Sequence, residues 1–296
     1  MTTLSLVLSG GGVRALAHVG AIARLTEEGK LKTVTHYAGS SAGAIVAALV
    51  AAGYTPKELF RFMLQLDFRS FAKDNLVKEG INFARHYGLH DNSKLEQVIE
   101  EGLSTKMGSK ITFNQLKIQT GNTLVVTATN LTTSKTDIFS PATTPNMTVS
   151  KAIRLSADIP LFYTSCGYEG CTYTDGGLLN NLPTKYVPPP SLSINLISSG
   201  TLPRKVTDIS SYLYALLETV SDEIDNLRPR LGKIIDIDTG SVAATDFNLT
   251  LLEKIALVKK GFYIQSDILN KIAPSPPDYW FQFVSEVEDN SRCSIM

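Results

Sequence analysis

Cysteine is scarce in this chain of 296 residues, with three in all, at positions 166, 171 and 293. An odd count in a chain without a cationic leader and apolar signal core points to a reducing compartment and argues against a disulfide framework. Excess charge of either sign is also missing: 28 basic residues balance 28 acidic ones, so no overall field draws the chain toward nucleic acid or an anionic surface. The most apolar window, 42–52, falls far short of the roughly 20 residues needed to span a bilayer. Histidine stops early. His18, His36, His86 and His90 all precede the second third of the chain, which disfavours the serine, acid, histidine order of an α/β-hydrolase triad. No clustered ligand set for a metal is present, and no cofactor is expected.

What the chain has is 43% hydrophobic content, enough for a sizeable core. LSLVL at 4–8 reads as a buried strand, closed by Ser9 and the glycines Gly10, Gly11 and Gly12. Apolar residues then recur at helical spacing (Leu16, Val19, Ile22, Leu25) until Glu27, Glu28 and Gly29 end the pattern. A second unit repeats the order, with a strand over 33–38, the turn GSSAG and a helix over 42–52 stopped by Gly53. Two such units begin a parallel sheet with helices against it.

Further helices are expected at 56–66 and 93–102, and the stretch between them reads either as a lid over a site or as an irregular connection. Strands are expected at 124–128 and 135–139, a short helix at 149–155, and a hairpin from 162–166 and 171–174 around GYEG. A strand at 192–197, helices at 209–224 and 251–272, and a strand at 233–237 complete an α/β domain with a helical C-terminal portion. Repeats are not evident.

GSSAG places Ser41 at the centre of a G-x-S-x-G corner, where Gly39 and Gly43 leave room for a strained backbone and the following helix offers free N–H groups. A small-residue turn made only for packing is the bland alternative. The loop SGGGVRA lacks the last glycine of G-x-G-x-x-G, because Ala15 stands there, and no G-K-[ST] follows. Its consecutive glycines suit amides aimed at an oxyanion, with Arg14 as cationic support or as a plain packing arginine. Asp175, followed by Gly176 and Gly177, ends a strand-like run; its carboxylate either accepts the proton of Ser41 directly or belongs to an ordinary D-G-G turn.

GGGVRA at 10–15, GSSAG at 39–43 and DGG at 175–177, in that order and approximate separation, resemble the patatin-like phospholipase family; SADIPLFY at 156–163 and NNLP at 180–183 add to the likeness. DFNLT at 246–250 and KKGFY at 259–263 extend it faintly toward the C-terminus. The resemblance implies a three-layer α/β/α fold and a lipid acyl hydrolase of phospholipase A or lysophospholipase type. It also implies Ser41 as nucleophile, Asp175 as base, and Gly10, Gly11 and Gly12 as the oxyanion loop, with Arg14 matching the family's basic residue. A patatin-like catalytic domain over 4–190 is expected, with a continuation packed on it over 191–290 and a flexible tail at 291–296. The expected partners are a phospholipid or other acyl lipid and, transiently, a membrane surface. A non-enzymatic lipid binder on the same fold and a generic carboxylesterase or thioesterase are the rival readings.

Cys166 and Cys171, flanking the GYEG turn, read as half-buried thiols or as a facing pair. The terminal Cys293, Ser294, Ile295 and Met296 fit the C-a-a-X prenylation pattern, which matters for a lipid substrate and requires a eukaryotic cytoplasm, the protein's own or a host's. A cytoplasmic protein lying peripherally on membranes is the expectation. One prenyl chain anchors weakly, and the preceding EVEDNSR is not polybasic.

Overall fold

The computed structural model describes residues 3–66, 88–198, 206, 209–264 and 277. Most of the stretch read as a lid or connection, the end of the expected 251–272 helix and the tail with Cys293 lie outside the described residues.

The chain runs β1 (Leu4–Leu8), a 3-10 turn (Gly12–Ala15), α1 (Leu16–Glu27), β2 (Val34–Ser40), α2 (Ala42–Ala51), α3 (Pro56–Gln65), β3 (Gly88–His90), α4 (Ser93–Met107), α5 (Phe113–Thr120) and β4 (Thr123–Asn130). It continues through β5 (Lys135–Phe139), α6 (Val149–Ser156), β6 (Leu161–Tyr163), β7 (Cys166–Tyr168), β8 (Cys171–Thr174), α7 (Gly177–Asn180), β9 (Ser191–Ile197), α8 (Ile209–Asn226), β10 (Lys233–Asp238) and α9 (Leu251–Phe262). The main sheet has the order β10-β9-β1-β2-β4-β8-β7, with β5 antiparallel on β4. From β10 to β4 every pairing is parallel; β8 runs back against β4 and β7 against β8.

The fold is a three-layer α/β/α sandwich. Leu6, Val7 and Leu8 of β1 are fully buried although they point alternately to opposite faces, as a strand covered on both sides requires. Leu6 and Leu8 join the large core with α1, α2 and α9, while Val7 packs with Ala38 and Val125 against Ile138, Leu182, Tyr186 and Val187 on the other face. Glycine lets α1 and α9 cross with their backbones in contact. A Cβ at Gly20 would run into the Val258 carbonyl, and one at Gly261 into the Ala17 carbonyl.

The hairpin differs from the expectation. Residues 161–163 leave it to pair with β3 in a separate two-stranded sheet, and the turn narrows to Glu169 and Gly170, both at positive φ (49° and 78°). Cys166 then pairs with Tyr173 and Cys171 with Tyr168, so the two thiols do not oppose each other and both are free.

Candidate active site

The carboxyl ends of adjacent parallel strands are where an α/β sheet leaves a crevice. Here β1 delivers the glycine loop and β2 delivers Ser41, side by side with Leu8 opposite Gly39. Asp175 arrives from the opposite direction, just after β8, whose Thr174 pairs with Thr129 near the end of β4. Antiparallel return of β8 is what brings position 175 to position 41.

Ser41 caps α2 with φ 51° and ψ −129°, a strained conformation for a residue with a side chain that costs about 1–3 kcal/mol. Its neighbours make the corner sterically feasible. A Cβ at Gly39 would lie 2.5 Å from the Gly43 carbonyl oxygen, and one at Gly43 would strike the Ser9 carbonyl of the neighbouring strand. Ser156, at the end of α6, supports the corner from behind: its Oγ accepts the Ser41 N–H at 2.7 Å and donates to the Thr127 carbonyl at 2.7 Å. Ser40 is fully buried in β2, so of the two serines only Ser41 lines the cleft.

The Ser41 hydroxyl donates to Asp175 Oδ2 at 2.5 Å, and Asp175 Oδ1 accepts the Gly177 N–H at 2.7 Å. Burial pushes the Asp175 carboxyl up to about 6, against the opposing pull of the Ser41 and Gly177 hydrogen bonds. The backbone is held too. Asp175 N–H donates to the Asp158 carbonyl at 2.9 Å, and its own carbonyl accepts the Thr129 hydroxyl at 2.9 Å. Gly176 packs where a Cβ would meet Ser40 Oγ at 2.6 Å.

Gly11, Gly12, Arg14, Ser41, Asp175 and Asn181 share one cleft. The glycines are not equivalent. The Gly10 N–H donates to the Asn181 carbonyl at 3.2 Å, so of the three expected loop amides it alone is already engaged. Val13 N–H is likewise taken by the Ala244 carbonyl at 2.9 Å. Among the described residues the Gly11 and Gly12 amides, and that of Ala42 directly after the serine, have no hydrogen-bond partner. Arg14 forms a 2.8 Å ion pair with Glu218 of α8 and directs Nε to the Gly11 carbonyl at 3.3 Å, so it braces the loop.

Among the described residues no histidine lines the cleft. His18 is fully buried with Nε2 donating to the Ser9 carbonyl at 2.8 Å, and burial lowers its pKa to about 4, so it is a neutral core residue. No group of three or more metal-ligating side chains occurs among the described residues, and none of the described helices is long and apolar enough to cross a membrane.

Two contributors escaped the sequence reading. Ser156 lies 115 residues from Ser41, and nothing local marks it beyond its place in SADIPLFY. Asp158, two residues on, is a buried carboxyl anchored by Asn92 Nδ2 at 2.9 Å and by the Cys166 N–H at 3.0 Å; burial raises its pKa well above the usual carboxylate value.

A serine at a strand-to-helix corner over a parallel α/β sheet is an arrangement of hydrolytic enzymes. Residues 6–188 match the patatin-like phospholipase family, and the chain belongs to that family. It is similar to a probable lipid hydrolase, 463L, of Invertebrate iridescent virus 6, at 35% identity over 181 residues, 60% of this chain and 61% of that protein. It is also similar to an uncharacterized protein, YqhO, of Bacillus subtilis, at 31% identity over 86% of this chain and 94% of that one. In three dimensions it superposes on VipD from Legionella pneumophila with a TM-score of 0.60 at 19% identity, covering 88% of this chain and 65% of the other. The match thus spans less than two thirds of the viral relative and of the Legionella protein.

Proposed function

We propose that this chain hydrolyses the acyl esters of phospholipids, lysophospholipids or related lipids through a Ser41 and Asp175 dyad and a covalent acyl-enzyme. The observation that carries the reading is the 2.5 Å hydrogen bond from Ser41 Oγ to Asp175 Oδ2 within a cleft that also holds two unpaired loop amides.

The ester carbonyl carbon is attacked by Ser41 Oγ as Asp175 takes the hydroxyl proton, without a histidine between them. Negative charge collecting on the carbonyl oxygen meets the N–H groups of Gly11 and Gly12, joined by Ala42 at the positive end of α2. Protonated Asp175 returns its proton to the departing alcohol or lysolipid. Water then enters, loses a proton to the same carboxylate, attacks the acyl carbon and releases the fatty acid. In this scheme Gly10 shapes the loop through Asn181, and Arg14 holds it through Glu218.

Mixed phospholipid vesicles followed by mass spectrometry of released fatty acid and lysolipid test the reading. Hydrolysis is expected for the native protein and its loss for Ser41→Ala and Asp175→Asn, each with unchanged circular dichroism. Native turnover in either purified variant would end the dyad reading.

A further inference from the structure

A second cleft, of about 620 Å³, opens on the face of the sheet away from α1 and α9. Its floor comes from the far strands. Leu196 and Ile235 turn into the large core, so their neighbours Asn195 of β9 and Ile234 of β10 look the other way, into this cleft. Its walls are the end of α7 with the segment after it, and the last turn of α8 with residues 227–231. The volume falls within the roughly 300–1,000 Å³ of small-molecule sites. None of its lining residues lines the catalytic cleft.

Asn180, the last residue of α7, carries the first sign of a ligand. It lines this cleft, it is only 1% exposed, and its Nδ2 has no hydrogen-bond partner. An amide buried without a partner weakens the fold, a loss that is recovered when something else accepts its hydrogens. Charge is the second sign. Arg230 is closed by Asp236, whose two carboxylate oxygens both accept from Nη2 at 2.7 Å, and Asn195 Nδ2 donates to the same carboxylate at 2.9 Å. Arg228 has Nε 3.7 Å from Asp225 and donates through Nη2 to the Leu179 carbonyl. Lys185 is left over. Its ammonium lies 5.0 Å from the centre of the Tyr186 ring, and among the described residues no carboxylate pairs with it. With those pairs closed, the cleft offers one uncompensated positive charge and one buried amide donor, beside apolar surface from Leu182, Ile224, Leu231 and Ile234.

We infer that this cleft is a second ligand site, for a small organic monoanion whose carboxylate or phosphodiester oxygens accept from Asn180 Nδ2 and face Lys185, while its apolar part lies on Leu182 and Ile234. The inference goes beyond the acyl-hydrolase reading and needs no reaction at Ser41. A monoanion matches the single unpaired cation, whereas a dianion would carry an uncompensated charge into the cleft and a neutral molecule would leave Lys185 to water. The two sites share a wall: Leu178 and Asn181 face the catalytic cleft, and Asn180 between them in sequence faces this one.

The test uses the full chain and reads the rise in Tm with hexanoate, dibutyl phosphate and uncharged hexan-1-ol at matched ionic strength. A saturable rise is expected with the anions and none with hexan-1-ol, and the rise should persist in Ser41→Ala. Asn180→Leu, close in size, and Lys185→Met, at an exposed position, should each weaken the apparent affinity about tenfold while remaining folded. A larger rise with hexanoate marks a carboxylic acid as the natural occupant, and a larger rise with dibutyl phosphate marks a phosphodiester. Absence of a rise with both anions overturns the proposal and leaves Asn180 to water. An equal rise with hexan-1-ol overturns it too, as does survival of the native affinity in both cleft variants. Loss of the rise in Ser41→Ala would put the anion in the catalytic cleft and end the second site. Ester hydrolysis by the native protein is scored separately, so failure of either reading leaves the other standing.

Discussion

Arg14 and Glu218 meet as a 2.8 Å ion pair with side chains only 8% and 10% exposed, joining the end of the glycine loop to α8 across the cleft. The pair converts a helix from the last third of the chain into a wall of the site, since Glu218, Ser221 and Asp222 all line it. Ser221 adds a second tie, donating to the Gly177 carbonyl at 2.5 Å.

Removing one partner of a buried pair is destabilising, by up to about 3–5 kcal/mol. Arg14→Ala and Glu218→Ala are therefore each expected to lower stability in urea titrations. The double variant should be less harmed than the sum of the two, with a coupling of about 1 kcal/mol or more. Strict additivity would show that the pair does not act as a unit.

On the proposed dyad, Asp175 is expected to govern two pH profiles of opposite sense. Its proton must be absent for it to accept that of Ser41, so kcat/KM is expected to rise with pH through a midpoint near 6. Stability runs the other way. The folded carboxyl, raised from 3.8 to about 6, holds its proton more tightly than the unfolded chain does, so its favourable contribution is complete below 3.8 and is lost as pH rises through 6. Asp175→Asn escapes that loss. At pH 8 it should be more stable than the native protein by up to about 3 kcal/mol, at about 1.4 kcal/mol per pH unit, with the gain gone at pH 4. Urea titrations at the two pH values check this.

Ser156→Ala would strip the Ser41 N–H of its acceptor within a buried corner. An amide left unpaired there costs about 1–3 kcal/mol, concentrated on the residue that already carries positive φ. The expected result is a fall in kcat with KM nearly unchanged, measured on one soluble ester.

At the α1 and α9 crossing, Gly20→Ala and Gly261→Ala would each drive a methyl into a carbonyl of the facing helix. Overpacking typically costs about 1–3 kcal/mol, and a backbone obstacle yields less than a side chain does. Both Tm values should drop, whereas Gly29→Ala, where nothing lies within 4 Å, should lose less despite its φ of 70°.

Much of this was legible from short-range signals. LSLVL became β1 at the expected residues, and the helix after GSSAG runs over Ala42–Ala51, because apolar runs and glycine corners act within a few positions. α5 went unread although Thr112 and Gln115 form a capping box, since only Phe113 and Leu116 of its eight residues are buried and the apolar period is faint. The hairpin was misplaced for a different reason. Residues 161–163 are strand-forming, but their partner is β3, and pairing between distant segments leaves no mark on either one. The same limit separated Ser41 and Asp175, legible as motifs, from Ser156 and Asp158, whose contacts arise only when segments far apart in sequence are brought together. Gly10 shows a finer version: its glycine identity was plain, but the loss of its amide to Asn181 depends on where α7 ends.

The stretch that carries the family likeness ends before the sheet does, since β9 and β10 follow residue 188. A protein cut after residue 188 would strip Ser191–Ile194 from the ladder along Ser5–Leu8, leaving an open edge beneath the glycine loop, and would remove the helix wedged against Gly20. A truncation after residue 188, guided by the motifs alone, is therefore expected to aggregate through that edge rather than yield a lean enzyme.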